Sequence, residues 1–220
     1  MSGESATVFV VDDDPSVRRG LDRLLRSAGY AVEVFESAKD FLARLPYRGT
    51  GCIILDVQMP GTTGPELQSK IGEKDVSLPV VFLTAHGDVS TSVAAMKRGA
   101  MDFLEKPVDD EVLLEVVRQA IARHAVTQAH ERDRRRIEDR LATLSARERD
   151  VMLEVIQGKL NKQIGAALGI TEKTVKVHRG RVMEKMGVGS VAELVHLCDT
   201  IGITTESPKA DEGESIRQVS

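Results

Sequence analysis

Apolar residues in the first half of the chain fall into five short runs, separated by amphipathic stretches. The runs cover 7–11, 31–35, 52–55, 79–84 and 101–104. The third and fourth are almost wholly apolar, which is typical of strands buried on both faces of a parallel sheet. Helical periodicity lies near 15–28, 37–45, 64–72, 89–98 and 109–124, with Gly29, Gly72 and Gly99 as predicted helix ends. Five strand–helix repeats predict a doubly wound (βα)5 α/β domain over 6–122, with a five-stranded parallel sheet.

The second half of the chain has helical periodicity only. Residues 123–142 are rich in charged helix formers and lack Pro and Gly, so we expect them to extend the fifth helix as a solvated linker. Residues 143–203 predict a small all-α domain, interrupted by glycines. The polar stretch 204–220 is expected to be a disordered tail.

Composition is that of ordinary folded domains. The chain has 220 residues, of which 41% are hydrophobic and 29% charged. No apolar run approaches the ~20 residues needed to cross a bilayer, and the first residues lack a secretory signal. We therefore expect a cytoplasmic protein with no membrane partner. Cys52 and Cys198 are too few for a disulfide framework and are expected in the cores.

Charge is divided unevenly along the chain. Residues 1–122 carry 13 Lys/Arg against 19 Asp/Glu, whereas residues 143–203 carry 9 against 7. An acidic first part and a mildly basic second part predict different partners for the two domains.

Polar residues follow the predicted strands, where a doubly wound sheet places its ligand site. They are Asp12, Asp13 and Asp14 after the first strand, Asp56 after the third, Thr84 after the fourth and Lys106 after the fifth. Converging carboxylates repel one another, so either a pKa rises or a cation lies among them, and such oxygen ligands suit Mg2+. Thr84 and Lys106 supply hydrogen-bond donors for phosphoryl oxygens. The set predicts phosphoryl transfer to Asp56, with the product held by Lys106.

Each of these residues also has a purely structural interpretation. Asp14 before Pro15 is the expected N-cap of the first helix, and the other carboxylates can form or cap turns. Thr84 can be a strand-end hydroxyl, and Lys106 an ordinary surface charge. Apart from the helix cap Asp14, five residues have suitable chemistry at successive strand ends, which favours the functional interpretation: Asp12, Asp13, Asp56, Thr84 and Lys106.

A helix-turn-helix pattern occupies the second domain. Ser145 and Glu148 are spaced as a capping box. A short helix from Asn161 is followed by a turn at Gly169 and by a longer helix capped by Thr171.

The longer helix has five Lys/Arg against two Asp/Glu, opposite an apolar edge formed by Val175, Val182 and Met186. This arrangement predicts a recognition helix in the major groove of DNA. By itself, the charge would be explained better as a solvated helix face, but the preceding turn and short helix favour DNA binding.

Residues 7–122 resemble the receiver domain of two-component response regulators, through VVDDDP, ILDVQMPGTTG, VVFLTAHGD and GAMDFLEKP in that order. The resemblance implies that Asp56 takes a phosphoryl group from the phosphohistidine of a sensor histidine kinase. It implies a Mg2+ site of Asp12, Asp13, Asp56 and the Gln58 carbonyl group, in which Asp13 and Asp56 are direct ligands. Thr84, Lys106 and Phe103 match the family's switch hydroxyl, phosphate-binding lysine and switch aromatic residue.

Further features follow from the same resemblance. The Lys106–Pro107 peptide bond is expected to be cis. Gln58 and His86 stand where the family tunes the lifetime of the acyl phosphate, although His86 is equally well explained as a solvent-facing loop residue. Since no residue of the set turns over a bound substrate, we expect no enzyme activity beyond self-phosphorylation and hydrolysis at the aspartate.

The stretch from Leu144 to Val195 resembles the LuxR-type helix-turn-helix nearly end to end. The resemblance implies DNA contacts from Asn161, Lys162, Thr171, Lys173, Thr174, Lys176, Val177, Arg179 and Arg181. Gly180 stands where family members often have a basic residue, which weakens the case for a base contact there. The last helix, 190–198, matches the dimerisation helix of the family, and a role in the monomer core is the alternative or an additional role.

Together the two modules resemble the FixJ/NarL class of response regulators. We predict a transcription regulator that is phosphorylated on Asp56, forms a homodimer when phosphorylated and binds a two-fold operator in double-stranded DNA, with RNA polymerase as a candidate partner. In the hypothesised switch, the phosphate draws in Thr84, Phe103 turns inward, and the face of the fourth helix and fifth strand is reshaped for pairing.

Two alternative functions make different demands on the acidic site. A regulator that works without phosphate, through a partner or ligand, would be expected to lose its acidic site, but every member is present. A hydrolase acting on free substrates would need a general acid where this chain has Gln58.

Overall fold

The computed structural model of the protein describes residues 6–74, 76–85 and 89–203. Its strands are β1 (Thr7–Val11), β2 (Ala31–Phe35), β3 (Gly51–Asp56), β4 (Val80–Thr84) and β5 (Asp102–Glu105). Its helices are α1 (Pro15–Ser27), α2 (Ala38–Arg44), α3 (Gly64–Gly72), α4 (Val89–Lys97), α5 (Asp110–Ala142), α6 (Ala146–Ile156), α7 (Asn161–Leu168), α8 (Glu172–Met186) and α9 (Val191–Thr200). The chain divides into two compact units between His130 and Glu131, and α5 contributes residues to both.

The strands of the first unit form a parallel sheet in the order β2-β1-β3-β4-β5. Val11 at the end of β1 is in register with Leu55, and Asp56 at the end of β3 is in register with Leu83. The direction of winding reverses between β1 and β3, which is where a doubly wound sheet opens a crevice for ligands. The predicted fold class is confirmed.

Side chains of the central strands alternate between two hydrophobic cores, because successive residues of a strand face opposite sides of the sheet. Phe9 and Ile53 pack with α2, α3 and α4 on one side. Val10 and Ile54 pack with α1 and α5 on the other. β1, β3 and β4 are buried along their whole length, as their apolar sequences predict.

Two of the three predicted helix-ending glycines have the conformation that this role requires. Gly29 and Gly99 have φ values of +90° and +88°, a region in which only glycine is unstrained. Gly72 is instead the last residue of α3 itself, and it has no positive φ.

The predicted linker, 123–142, extends the fifth helix as expected and forms the C-terminal part of α5. Its beginning is held to the first unit, since the Gly51 N–H donates to Nδ1 of the buried His124 at 3.0 Å, and Gln128 bonds to the Gly49 carbonyl at 2.8 Å. Its end carries Ile137 and Leu141 into the core of the second unit. Most of the remaining side chains are exposed, as its charged sequence predicts.

The second unit is a bundle formed by α6, α7, α8, α9 and the end of α5. Gly169 and Gly187 end α7 and α8 in the left-handed conformation. Cys52 and Cys198 are buried thiols in the cores of the two units. No helix in the described part of the chain is long and apolar enough to cross a bilayer. The stretch 204–220, predicted as a tail, lies outside the described residues.

Candidate acidic site and nucleic-acid interface

The ammonium group of Lys106 lies between two carboxylates at the carboxyl edge of the sheet. Its Nζ is 2.6 Å from Oδ2 of Asp12 and 2.6 Å from Oδ1 of Asp56. Asp12 and Asp56 are only 2% and 6% exposed. Charges buried to this degree are stable only when they are paired, and a single lysine pairs both.

The other oxygen of each carboxylate accepts a backbone hydrogen bond. The Asp14 N–H donates to Oδ1 of Asp12 at 2.8 Å, and the Gln58 N–H donates to Oδ2 of Asp56 at 2.8 Å. Both carboxylates are therefore fixed in orientation by the loop that follows their own strand. Carboxylates held in this way have little conformational freedom left to lose when they bind another group.

Burial and ion pairing shift the pKa values of Asp56 and Lys106 in opposite directions. Burial raises the pKa of Asp56 above its ordinary value, and this effect exceeds the lowering caused by the hydrogen bond from Lys106. For Lys106 the balance is reversed: burial lowers its pKa, but the hydrogen bonds to Asp12 and Asp56 prevail and the pKa is raised. The lysine is thus held charged beside a carboxylate that is more basic than a solvated one.

The residues predicted to bind Mg2+ are brought together only in part. Asp12 and Asp56 converge, whereas the side chain of Asp13 is exposed. Across 6–74, 76–85 and 89–203, no three His, Cys, Asp or Glu residues are close enough to hold a metal ion. Gln58 is exposed, next to Asp56. The donors are nevertheless oxygen atoms of the type that Mg2+ prefers, at a solvent-facing edge.

The predicted switch residues lie on β4 and β5. Thr84 is 1% exposed, one residue beyond the strand partner of Asp56, and its carbonyl oxygen accepts the Lys106 N–H at 2.7 Å. Phe103 is half-buried, with its ring centroid 6.0 Å from that of Phe82. The Lys106–Pro107 bond is cis. His86 lies outside the described residues.

Sequence reasoning missed two residues that shape this site. The guanidinium of Arg18 donates to the Asp12 carbonyl at 2.6 Å and so holds the loop after β1. A Cβ at Gly64 would collide with the Asp56 carbonyl, so only glycine lets α3 begin this close to Asp56. For Arg18, its position in the first turn of α1, four residues after the helix cap Asp14, could have indicated a contact with the loop after β1. For Gly64 the sequence contains no such indication, because its close approach to the Asp56 carbonyl depends on tertiary packing.

Asp14 and Ser145 are confirmed as helix caps. Oδ1 of Asp14 accepts the Ser16 N–H at 2.7 Å, and the pKa of Asp14 is lowered mainly by this bond. Ser145 and Glu148 form both hydrogen bonds of a capping box at the start of α6.

In the second unit, α8 has a buried face and a basic exposed face. Val175, Val182 and Met186 are in the core. Exposed on the helix are Lys173, Lys176, Val177 and Arg181. Thr171 caps the helix through its Oγ1, which accepts the Thr174 N–H at 3.2 Å, so Thr171 is confirmed as the N-cap. Lys162 is exposed in the first turn of α7.

Two predicted DNA-contacting residues are bonded to each other. Arg179 Nη1 donates to Oδ1 of Asn161 at 3.2 Å, and both residues are half-buried. The bond joins α8 to the start of α7. Sequence reasoning assigned each residue to the DNA side but gave no sign of the bond.

Lys185 is one of the five basic residues counted on α8 in the sequence, but its side chain bonds to residues around the start of α6. Its Nζ is 2.6 Å from Oε2 of Glu148 and 2.9 Å from the Thr143 carbonyl. The hydrogen bond from Lys185 lowers the pKa of Glu148 to about 2. This pair stabilises the bundle, so the basic charge available to a partner is smaller than the helix sequence predicts.

Comparison with known families divides the chain in the same way. Residues 8–118 match the response regulator receiver domain. Residues 142–198 match the bacterial regulatory proteins of the luxR family.

Similar proteins of known sequence or structure contain both parts. Nodulation protein W of Bradyrhizobium diazoefficiens is 42% identical over 199 residues, 90% of this chain and 88% of that protein. Transcriptional regulatory protein FixJ of the same organism is 40% identical, over 90% of this chain and 97% of its own length. The solved structure of the response regulator StyR has a TM-score of 0.82 and 45% identity, over 89% of this chain and 99% of that one.

Proposed function

Because the chain belongs to the response regulators in which a receiver domain is followed by a LuxR-type DNA-binding domain, we propose that phosphorylation of Asp56 controls its binding to duplex DNA. The observation that carries the proposal is the position of Lys106, with Nζ 2.6 Å from both Asp12 and Asp56. A cation already placed beside the acceptor oxygen can stabilise a phosphoryl group on that oxygen without rearrangement.

In the proposed reaction, an oxygen of Asp56 attacks the phosphorus atom of a phosphohistidine on the sensor kinase. The N–P bond breaks, its electron pair stays on the imidazole, and that ring takes up a proton. The product is an acyl phosphate, whose oxygens accept hydrogen bonds from Lys106 and the Thr84 hydroxyl. Hydrolysis returns the free carboxylate when water attacks phosphorus and the phosphoryl group leaves as inorganic phosphate.

A Mg2+ ion at this edge would be held by Asp12, Asp13, Asp56 and the Gln58 carbonyl group. The ion supplies positive charge against the phosphoryl oxygens as they approach two carboxylates. Lys106 already pairs with both Asp12 and Asp56, so an ion held at this edge would share these two carboxylates with the lysine.

The kinase must bring its phosphohistidine to Asp56, which requires a docking surface beside the site. A groove of about 940 Å³ between α1 and the start of α5 opens next to Lys106. Its wall combines apolar residues such as Leu24, Pro107 and Val108 with the charged Arg23 and Asp110, and the exposed Gly20 leaves room for a helix to approach α1. We assign this groove to the kinase.

The phosphoryl signal is proposed to pass through Thr84 and Phe103, which lie on the two strands beyond β3. When the phosphate draws in the Thr84 hydroxyl, the half-buried Phe103 can turn inward and change the surface of α4 and β5. Pairing of two phosphorylated chains through this surface aligns two α8 helices for a two-fold operator. RNA polymerase is then a partner of the DNA-bound dimer.

Replacing Asp56 tests the proposal. After treatment with acetyl phosphate and Mg2+, the native chain should form a dimer in sedimentation velocity, whereas Asp56→Asn should stay monomeric at the same concentration. Asp14→Asn is a matched control, because it makes the same chemical change nearby and Asn is also a good helix cap. Dimer formation by Asp56→Asn would refute phosphate control and favour a regulator that works without phosphate.

A further inference from the structure

We propose that Gly180 is the point at which α8 approaches DNA most closely, so that the helix backbone rather than a side chain lies against the major groove there. The inference rests on the proposed function of α8 as the recognition helix. It assigns a specificity role to a position where a side-chain contact is not expected.

Gly180 has no structural reason to be glycine within the described part of the chain. It lies in the interior of α8, it does not have a positive φ, and a Cβ built on it would meet nothing within 4 Å. A glycine inside a helix weakens it relative to alanine, because it leaves the unfolded chain freer. The weaker helix is therefore unexplained by packing.

Gly165, in the same domain, is by contrast a glycine that packing requires. A Cβ on Gly165 in α7 would lie 2.8 Å from the Ile170 carbonyl, so the helix-turn-helix turn itself requires glycine there. Gly165 is buried and Gly180 is exposed. The chain's own backbone requires glycine at 165, whereas Gly180 faces outward, towards any partner that binds α8.

The position of Gly180 on the helix identifies that partner. Gly180 follows Lys173 by seven residues and Val177 by three, a spacing that places all three on one face. This face is opposite the buried Val182 and Met186, and Lys173 and Val177 are exposed along it. On this line Lys173 suits the phosphates of duplex DNA, Val177 suits the thymine methyl groups of its major groove, and the exposed Glu184, one turn after the glycine, can accept from a cytosine amino group.

The dimensions of the two partners make a glycine useful there. An α-helix with its side chains is about 10–12 Å across, and the major groove of DNA is about 12 Å wide. A position without a side chain on the inward face allows the helix to sit deeper. Lys173 and Val177 can then reach base edges that a longer side chain at 180 would hold away.

Alanine replacement of Gly180 separates stability from binding. The full chain, treated with acetyl phosphate and Mg2+, selects duplexes from a pool with a randomised centre. The Kd for the most enriched duplex is then measured by fluorescence anisotropy. We expect Gly180→Ala to weaken binding about tenfold, because the added methyl group holds the helix out of the groove. Its melting temperature should be equal to or above that of the native chain.

Two further variants make the result decisive. Gly72→Ala changes an exposed helical glycine of the receiver, also in open space, and should leave the Kd unchanged. Lys176→Ala tests the interface itself. Unchanged or tighter binding by Gly180→Ala, or a lower melting temperature, would overturn the inference. If Lys176→Ala weakens binding and Gly180→Ala does not, only the inference fails; if neither weakens it, the proposed interface fails too.

Discussion

The acidic edge of the sheet and the exposed face of α8 differ in how their charged residues are placed: those of the edge are buried and paired, and those of α8 are exposed. At the acidic edge, Asp12 and Asp56 are buried and meet their cation, Lys106, inside the same domain. On α8, Lys173 and Lys176 are exposed and have no ion pair among the described residues, while Val177 is 50% exposed. The charged groups of the acidic edge are thus paired within the folded chain, whereas Lys173 and Lys176 on α8 are left exposed to solvent.

The difference has energetic consequences. Removing one member of a buried charge cluster leaves the others without a partner, which typically costs several kcal/mol. Removing an exposed charge changes stability by less than about 1 kcal/mol and is felt only when the partner binds. Stability measurements should therefore distinguish the two regions before any DNA is added.

The largest stability effect is expected for Lys106→Met. Two carboxylates would then be buried close together without a cation, and we expect the free energy of unfolding to fall by about 3 kcal/mol at pH 7. Addition of Mg2+ should restore part of the loss, because the ion replaces the missing positive charge. Urea denaturation with and without Mg2+ measures both effects.

The matched control for this variant is Lys39→Met, which removes an exposed lysine of α2. It should change the free energy of unfolding by less than about 0.5 kcal/mol. Equal stability of the two variants would show that Asp12 and Asp56 do not depend on Lys106.

A smaller loss is expected for Gly165→Ala in the second unit. The new Cβ would press on the Ile170 carbonyl at 2.8 Å, and the backbone turn must shift to relieve the contact. Overpacking of this kind costs about 1–3 kcal/mol, more than the gain in helix propensity. Calorimetry of the full chain should show a lower melting temperature; an increase, as expected for Gly180→Ala, would contradict the assigned contact.

The smallest effect is expected for Glu148→Gln, and it depends on pH. The pKa of Glu148 is about 2 in the folded chain against an ordinary value of 4.5, so its charge stabilises the fold above about pH 4.5. That contribution is lost as pH falls from 4.5 towards 2. Glu148→Gln should lower the melting temperature at neutral pH and flatten its dependence on pH in this window. An unchanged profile would show that the Lys185 pair is not formed.

The sheet and the acidic edge could be predicted from the sequence because both follow from general properties of parallel sheets. Buried parallel strands read as apolar runs, and residues after such strands meet at one edge, so Asp12, Asp56, Thr84 and Lys106 could be assigned together. Asp14 could be assigned as a cap because capping is local.

Other features depend on contacts between residues far apart in sequence. The pairing of Lys185 with Glu148 and of Arg179 with Asn161 joins different helices, so charge counting on α8 overestimated its free basic groups. The requirement for glycine at 64 and 165 arises from a backbone that approaches from another element. The C-terminal part of α5 was predicted as helix, but its division between two units depends on where His124 and Ile137 pack.

Direct localisation of the phosphoryl group tests the central claim of the account. The full chain is incubated with acetyl phosphate and Mg2+, digested under mildly acidic conditions and mapped by tandem mass spectrometry. The account predicts one phosphoryl group, on Asp56, that disappears in Asp56→Asn and is reduced in Lys106→Met. A phosphoryl group on another residue, or none on Asp56 at any donor concentration, would contradict it.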